Sequence, residues 1–238
     1  MITFSLRAAW IFGLLLSLAG CNLATNSDSP VKARSFSLDD LAKSDVDMVL
    51  ETQLSYSLEY LENLMEKLYK RNPKELRKGG WRNRKGAMQR VFGPGRAKSF
   101  PGLRGKRSVD AMRLAFDENY YGDRVLALIE GLRGMLLDSY NGKRELFLLD
   151  ELNPQKLYNA ARNIETTAWK LNNDRKPDGQ LFLISNETRG AIQNLSFERL
   201  FGKMIAVQDS TARFVAETTN RRIKNVIQSI ASAVFIPI

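Results

Sequence analysis

Between residues 50 and 68 the apolar side chains Leu50, Leu54, Leu58, Leu61, Met65 and Leu68 recur at steps of four, four, three, four and three. That is the period of an α-helix with one dry face, and it excludes a half-buried β-strand, whose apolar residues alternate in twos. The pattern predicts a helix that starts at Ser44, with Asp47 completing a weak capping box, and is broken by Asn72-Pro73. A core-facing helix is the simplest use of the stripe, and its near-heptad spacing leaves pairing with a second helix open.

Three further stretches repeat this signature. Residues 123–140 carry Val125, Leu128, Ile129, Leu132 and Leu136, while Arg124, Glu130, Arg133 and Asp138 exclude a membrane span. Gly131 and Gly134 lower helix propensity there and admit close approach of a neighbour. Asn153-Pro154 places a capping side chain before a proline at the first helical position. The stripe Leu157, Ala161, Ile164, Ala168, Leu171 follows as far as Asn172-Asn173, with Trp169 beside it and assigned to the core. From Ser196 the run Phe197, Leu200, Phe201, Met204, Val207, Phe214, Val215 predicts the longest helix, to about residue 228, with a kink near Thr218-Thr219-Asn220. The apolar tail 226–238 is too short to cross a bilayer and is expected to dock on the body's own core, a partner groove being the alternative. Ser108 opens a shorter helix to about residue 118. The similar runs 145–149 and 180–184 pair as a small two-stranded ribbon or else pack as helix or loop edges. The expected fold is therefore mainly α: a bundle of amphipathic helices, elongated or compact, with at most one small ribbon.

The amino terminus has a different logic. Arg7 precedes thirteen uncharged residues, 8–20, whose core is Trp10, Ile11, Phe12, Leu14, Leu15, Leu16 and Leu18. Such a run is too short for a span and suits the apolar region of a secretory signal. Its end, Leu18-Ala19-Gly20-Cys21, resembles the lipobox of bacterial lipoprotein precursors. The resemblance covers residues 1–21 and implies a diacylglyceryl thioether on Cys21, cleavage after Gly20 and acylation of the new terminus. Asn22, in place of an aspartate, then favours the periplasmic face of the outer membrane. On this reading residues 1–20 are a removed signal peptide, residues 21–43 an acylated cysteine and polar tether, and residues 44–238 one helical domain. Cys21 is the single cysteine, so no disulfide framework is expected, and the covalent lipid on Cys21 is the only cofactor-like group implied.

Charge is concentrated in one segment. Residues 70–107 hold fourteen Lys or Arg against one acid, Glu75, which leaves 22 basic and 25 acidic residues for the rest of a chain of net charge +10. Gly79-Gly80, Gly93-Pro94-Gly95 and Pro101-Gly102 mark residues 79–107 as a basic, Gly/Pro-containing loop. Its candidate binding residues are Arg77, Lys78, Arg82, Arg84, Lys85, Arg90, Arg96, Lys98, Arg104, Lys106 and Arg107. Trp81, Phe92 and Phe100 among these cations fit the stacking pattern of single-strand nucleic-acid binders. They fit equally a solvated loop whose aromatics tuck onto the body, and an exported lipoprotein meets little nucleic acid.

The chain contains no histidine, so the commonest general base and metal ligand are both missing. No catalytic or metal-ligating set is expected. The leading reading is a membrane-anchored envelope scaffold or adaptor whose basic segment meets an acidic partner protein, peptidoglycan carboxylates or anionic lipid headgroups. The alternative is a carboxylate-dependent enzyme on cell-wall polymer, drawing on Glu118 or Asp123 in the acid- and tyrosine-rich stretch 117–123. A plain turn between two helices explains that stretch at least as well.

Overall fold

The computed structural model describes residues 45–97, 99–147, 150–187, 193–219 and 234–238. The chain divides after Asp40, and every described residue belongs to the unit Leu41–Ile238. The lipobox with Cys21, the tether, the Ser44 cap, Lys98 and residues 220–233 lie outside the described residues.

Among the described residues are seven α-helices: α1 (Asp45–Arg71), α2 (Pro73–Lys78), α3 (Arg84–Phe92), α4 (Ser108–Leu114), α5 (Arg124–Ser139), α6 (Pro154–Asn173) and α7 (Ser196–Thr219). The protein is mainly helical, as its periodicity predicts. The termini follow the local chemistry. Helix α1 has Asp45 and Asp47 in its first turn and Lys70 and Arg71 in its last, each matching the local sign of the helix dipole. Asp123 caps α5 by accepting from Leu126 N at 3.0 Å, and Asn153 caps α6 by accepting from Gln155 N at 2.9 Å.

The four long helices contact one another in the cyclic order α1, α5, α6, α7, with α7 returning to α1, so they close a four-helix bundle. Helix α5 is buried on most of its circumference, through Val125, Leu126, Leu128, Ile129, Leu132, Met135 and Leu136 among others, because α4 covers it as well. Gly131 and Gly134 admit α4: a Cβ on Gly131 would stand 2.6 Å from the backbone nitrogen of Met112 and 2.9 Å from the carbonyl oxygen of Ser108.

Two asparagines substitute for missing sheet partners. Asn72 accepts from Ile184 N and donates to Ile184 O, both at 2.8 Å. Asn163 does the same to Ile236, at 2.7 and 2.8 Å, and Asn159 donates to Pro237 O at 3.0 Å. Phe235 is buried against Phe116, so residues 234–238 of the tail dock on the body as expected.

Three expectations change, and one open alternative is decided. The helix that opens at Ser108 stops at Leu114 rather than near residue 118, since the Arg124 guanidinium takes the carbonyls of Leu114, Ala115 and Asp117. No ribbon joins 145–149 to 180–184 among the described residues. Leu146 N donates instead to Glu51, and Leu181 bridges back to Arg175. Trp169 is half-buried beside the stripe rather than enclosed in the core. Finally, residues 79–107 are not a plain loop: α3 occupies their middle, capped by Asn83, which accepts from Gly86 N at 2.8 Å.

Candidate functional site

Besides the Asn72–Ile184 pair, the basic segment is fastened to the body at three points around the start of α5. Trp81 donates its indole N–H to Asp123 Oδ2 at 3.1 Å, and the same oxygen accepts from Tyr69 Oη at 2.6 Å. Glu75, buried on α2, accepts from Arg124 N at 2.8 Å and pairs with Lys78. Tyr120 Oη donates to the Gly102 carbonyl at 3.1 Å. Apolar side chains complete the attachment. Ala87, Val91, Phe100 and Leu103 are buried, and Leu76, Met88 and Phe92 pack against the core.

Burial sets the electrostatics of this junction. Asp123 is 3% exposed, and desolvation pushes its carboxyl up to about 6 in spite of three donors. Burial, and then the charge on Asp123, raises the Tyr69 phenol far above its ordinary value. Tyr120 is pushed up to about 12, again first by burial. The Arg124 guanidinium spends its donors on backbone carbonyls and lies 5.1 Å from the Phe182 ring and 5.8 Å from that of Tyr120.

The cations project the other way. Arg77, Lys78, Arg82, Arg84, Lys85, Arg90, Arg96, Arg104, Lys106 and Arg107 are all exposed. Lys78 is paired with Glu75, and among the described residues the other nine make no ion pair. Arg104 also lies over the Tyr120 ring at 5.6 Å. Arg84 and Lys85 occupy the first turn of α3, which has no acid. Cations there oppose the helix dipole, at a cost of roughly 0.3–1 kcal/mol each in exposed positions. The sequence thus places positive charge where it disfavours the helix it belongs to.

Burial differs among the three aromatics of the segment. Phe100 is 8% exposed and meets Trp81 edge-to-face at 6.4 Å, and Trp81 and Phe92 are half-buried. Phe100 is thereby committed to the body, while Trp81 and Phe92 each keep part of the ring at the surface. A groove of about 820 Å³ runs between α1 and α3, with Leu76, Met88 and Phe92 in its lining. Glu62 and Glu66 line it together with Arg82, Arg84 and Lys85, so its lining is of mixed sign, whereas the sequence from 76 to 107 carries no acid.

The carboxylates of 117–123 form a turn. Glu118 is exposed, Asp117 accepts from Asn119 N at 2.9 Å, and Asp123 is the buried cap of α5. Asp123 is therefore enclosed by its donors and does not share an open cleft with Glu118. The junction residues Tyr69, Glu75 and Arg124 were not singled out from sequence; only the capping role of Asp123 was signalled, by its place after Gly122 and before an apolar run.

Among the described residues no helix is long and apolar enough to cross a membrane, and no group of three or more acidic, Cys or His residues could hold a metal ion. Comparison with protein-family models, with curated proteins and with solved structures found no match.

Proposed function

We propose that this chain is a lipid-anchored bacterial envelope protein acting as a scaffold or adaptor without catalysis, its basic segment 70–107 contacting an acidic surface or partner. The observation that carries the reading is the two-sidedness of that segment: its apolar and hydrogen-bonding groups are fixed to the body, while ten of its cations face outward. A fixed array of exposed cations costs stability through mutual repulsion and gains it back when an anionic surface approaches. The anchor rests on Leu18-Ala19-Gly20-Cys21.

The two parts have separate duties. An acyl chain contributes about 0.8 kcal/mol per buried methylene, and a basic residue near an anionic membrane about 1 kcal/mol. A multiply acylated Cys21 is sufficient for attachment, which leaves the basic face for recognition. Peptidoglycan carboxylates or an acidic envelope protein are the partners whose chemistry fits.

Replacing Arg77, Arg82, Arg84, Lys85 and Arg90 together by Gln tests the contact. All five are exposed, so helical circular dichroism is expected to be unchanged while co-sedimentation with purified envelope fractions at moderate salt is lost. Undiminished co-sedimentation of that variant contradicts the reading. Labelled palmitate incorporated by the wild type and not by Cys21→Ser tests the anchor.

A further inference from the structure

Another cleft, of about 600 Å³, opens where the ends of α1 and α6 meet the start of α7. Its lining carries two cations and two carboxylates, Arg71, Arg175, Glu187 and Glu198. Arg71 and Glu187 pair with each other at 3.4 Å. Arg175 and Glu198 are exposed, and neither makes an ion pair among the described residues. Asp174, the acid next to Arg175, is taken by Lys170 at 2.7 Å.

Local structure holds both free charges in place. Glu198 lies in the first turn of α7 and Arg175 just past the last turn of α6, the helix ends that favour an acid and a cation respectively. Glu198 Oε1 accepts from Asn172 Nδ2 at 2.7 Å and from Asn186 Nδ2 at 2.8 Å. Two neutral amides thus orient the carboxylate without cancelling its charge, and its Oε2 takes no hydrogen bond among the described residues. Arg175 is set by the turn it opens: it bridges to Leu181, and Lys176 N donates to Gln180 O at 2.8 Å. Ile184 and Leu195 add aliphatic wall, 45% and 51% exposed. The Ile184 backbone is gripped on both its polar groups by Asn72. The cleft therefore presents one free charge of each sign beside fixed apolar surface.

We infer that this cleft binds a short zwitterion, a dipeptide or a free α-amino acid with an aliphatic side chain. The ligand's ammonium pairs with Glu198, its carboxylate with Arg175, and its side chain covers Ile184 and Leu195. The charged lining sums to zero, so a ligand with both signs matches it, whereas an anion or a cation satisfies one group and is repelled by the other. A neutral sugar leaves both charges without a partner. A guanidinium also gives a carboxylate two parallel N–H donors, and the volume lies within the range of about 300–1,000 Å³ usual for small-molecule sites. The cleft shares only Arg71 with the basic segment and does not rest on the acidic-partner reading.

The test is calorimetric titration of the full chain, held in detergent, with alanyl-leucine and with leucine. Each is also used N-acetylated and as its carboxyl amide, and maltose is the neutral reference. Saturable binding of a zwitterion is expected, and the tighter of the two identifies the source as dipeptide or free amino acid. Either cap is expected to weaken binding about tenfold, the loss of one charge-assisted contact. Arg175→Gln is a surface change, and Glu198→Gln keeps an oxygen for the two asparagine amides, so helical circular dichroism stays unchanged in both. Each variant is expected to bind the zwitterion about tenfold more weakly. Glu198→Gln should no longer distinguish the acetylated from the free amine, and Arg175→Gln should no longer distinguish the amide from the free carboxylate. Arg77→Gln, an exposed cation outside the cleft, should bind as wild type. Failure of wild type to bind either zwitterion at about 10 mM, capped forms that bind as tightly as free ones, or tighter binding of maltose overturns the inference. The five-residue variant that tests the acidic-partner surface keeps every residue lining this cleft, so either reading can fail while the other stands.

Discussion

Tyr69 donates a 2.6 Å hydrogen bond to Asp123 across 54 residues of sequence, joining the end of α1 to the cap of α5. The oxygen that accepts it also accepts from Trp81, and the other carboxylate oxygen accepts from Leu126 N. One buried carboxylate therefore closes the bundle, starts its most buried helix and fastens the basic segment. Asp123→Ala leaves a phenol, an indole N–H and a helix amide without their acceptor. We expect a loss of about 3 kcal/mol in urea unfolding, with proteolysis of residues 79–107 accelerated ahead of the bundle.

The same carboxylate gives stability a signature in pH. Its folded value of about 6 lies above the ordinary 3.8, so the native state holds a proton that the unfolded state has already released. Its contribution is fully present below the unfolded value and is lost as pH rises through the folded one, by about 3 kcal/mol for a shift of this size. Asp123→Asn cannot titrate. The stability of wild type minus that of Asp123→Asn should be larger near pH 4 than near pH 7 by about this amount. An equal difference at both pH values contradicts the assignment.

Glycine substitutions separate packing from propensity. Gly131→Ala drives a methyl into the backbone of Met112 and Ser108, and we expect it to lower stability by about 2 kcal/mol in spite of the better helix former. Gly202→Ala in α7 meets nothing within 4 Å and should raise stability by up to about 1 kcal/mol. Thermal unfolding of the two variants checks the opposite signs.

The backbone of Ile236 in the docked tail is held by a single amide, that of Asn163. Asn163→Ala removes both hydrogen bonds to Ile236, and Leu at the same position cannot replace them. Amide exchange at Ile236 is expected to accelerate about tenfold or more, with the amides of α5 unaffected.

The bundle is legible in the sequence because its helices announce themselves in two independent ways, by a 3.6-residue stripe and by capping residues. Asp123 and Asn153-Pro154 open α5 and α6, and Asn72-Pro73 ends α1. Helix α3 escapes that reading because it is bracketed by glycines and proline and buries only Ala87 and Val91 among its cations. The runs 145–149 and 180–184 have a composition that suits a ribbon as well as packed loop edges, and the second holds because Glu51 and Asn72 already take the backbone groups of Leu146 and Ile184. Periodicity cannot reveal such bonds. The Tyr69–Asp123 junction escapes for the same reason: its members sit on different elements, and each looks ordinary in its own neighbourhood. The outward array of cations was legible as composition, and its orientation was not. That orientation follows from Trp81, Phe100 and Leu103 turning inward.

The most direct test of the basic face as a recognition surface is photo-crosslinking in intact cells from residue 84 on α3 and, as a reference, from the exposed Arg213 on α7. The account predicts an adduct with an acidic envelope component from position 84, absent from position 213 and lost when Arg77, Arg82, Lys85 and Arg90 are replaced by Gln. The same adduct from both positions, or an adduct from position 84 that survives those replacements, would contradict it.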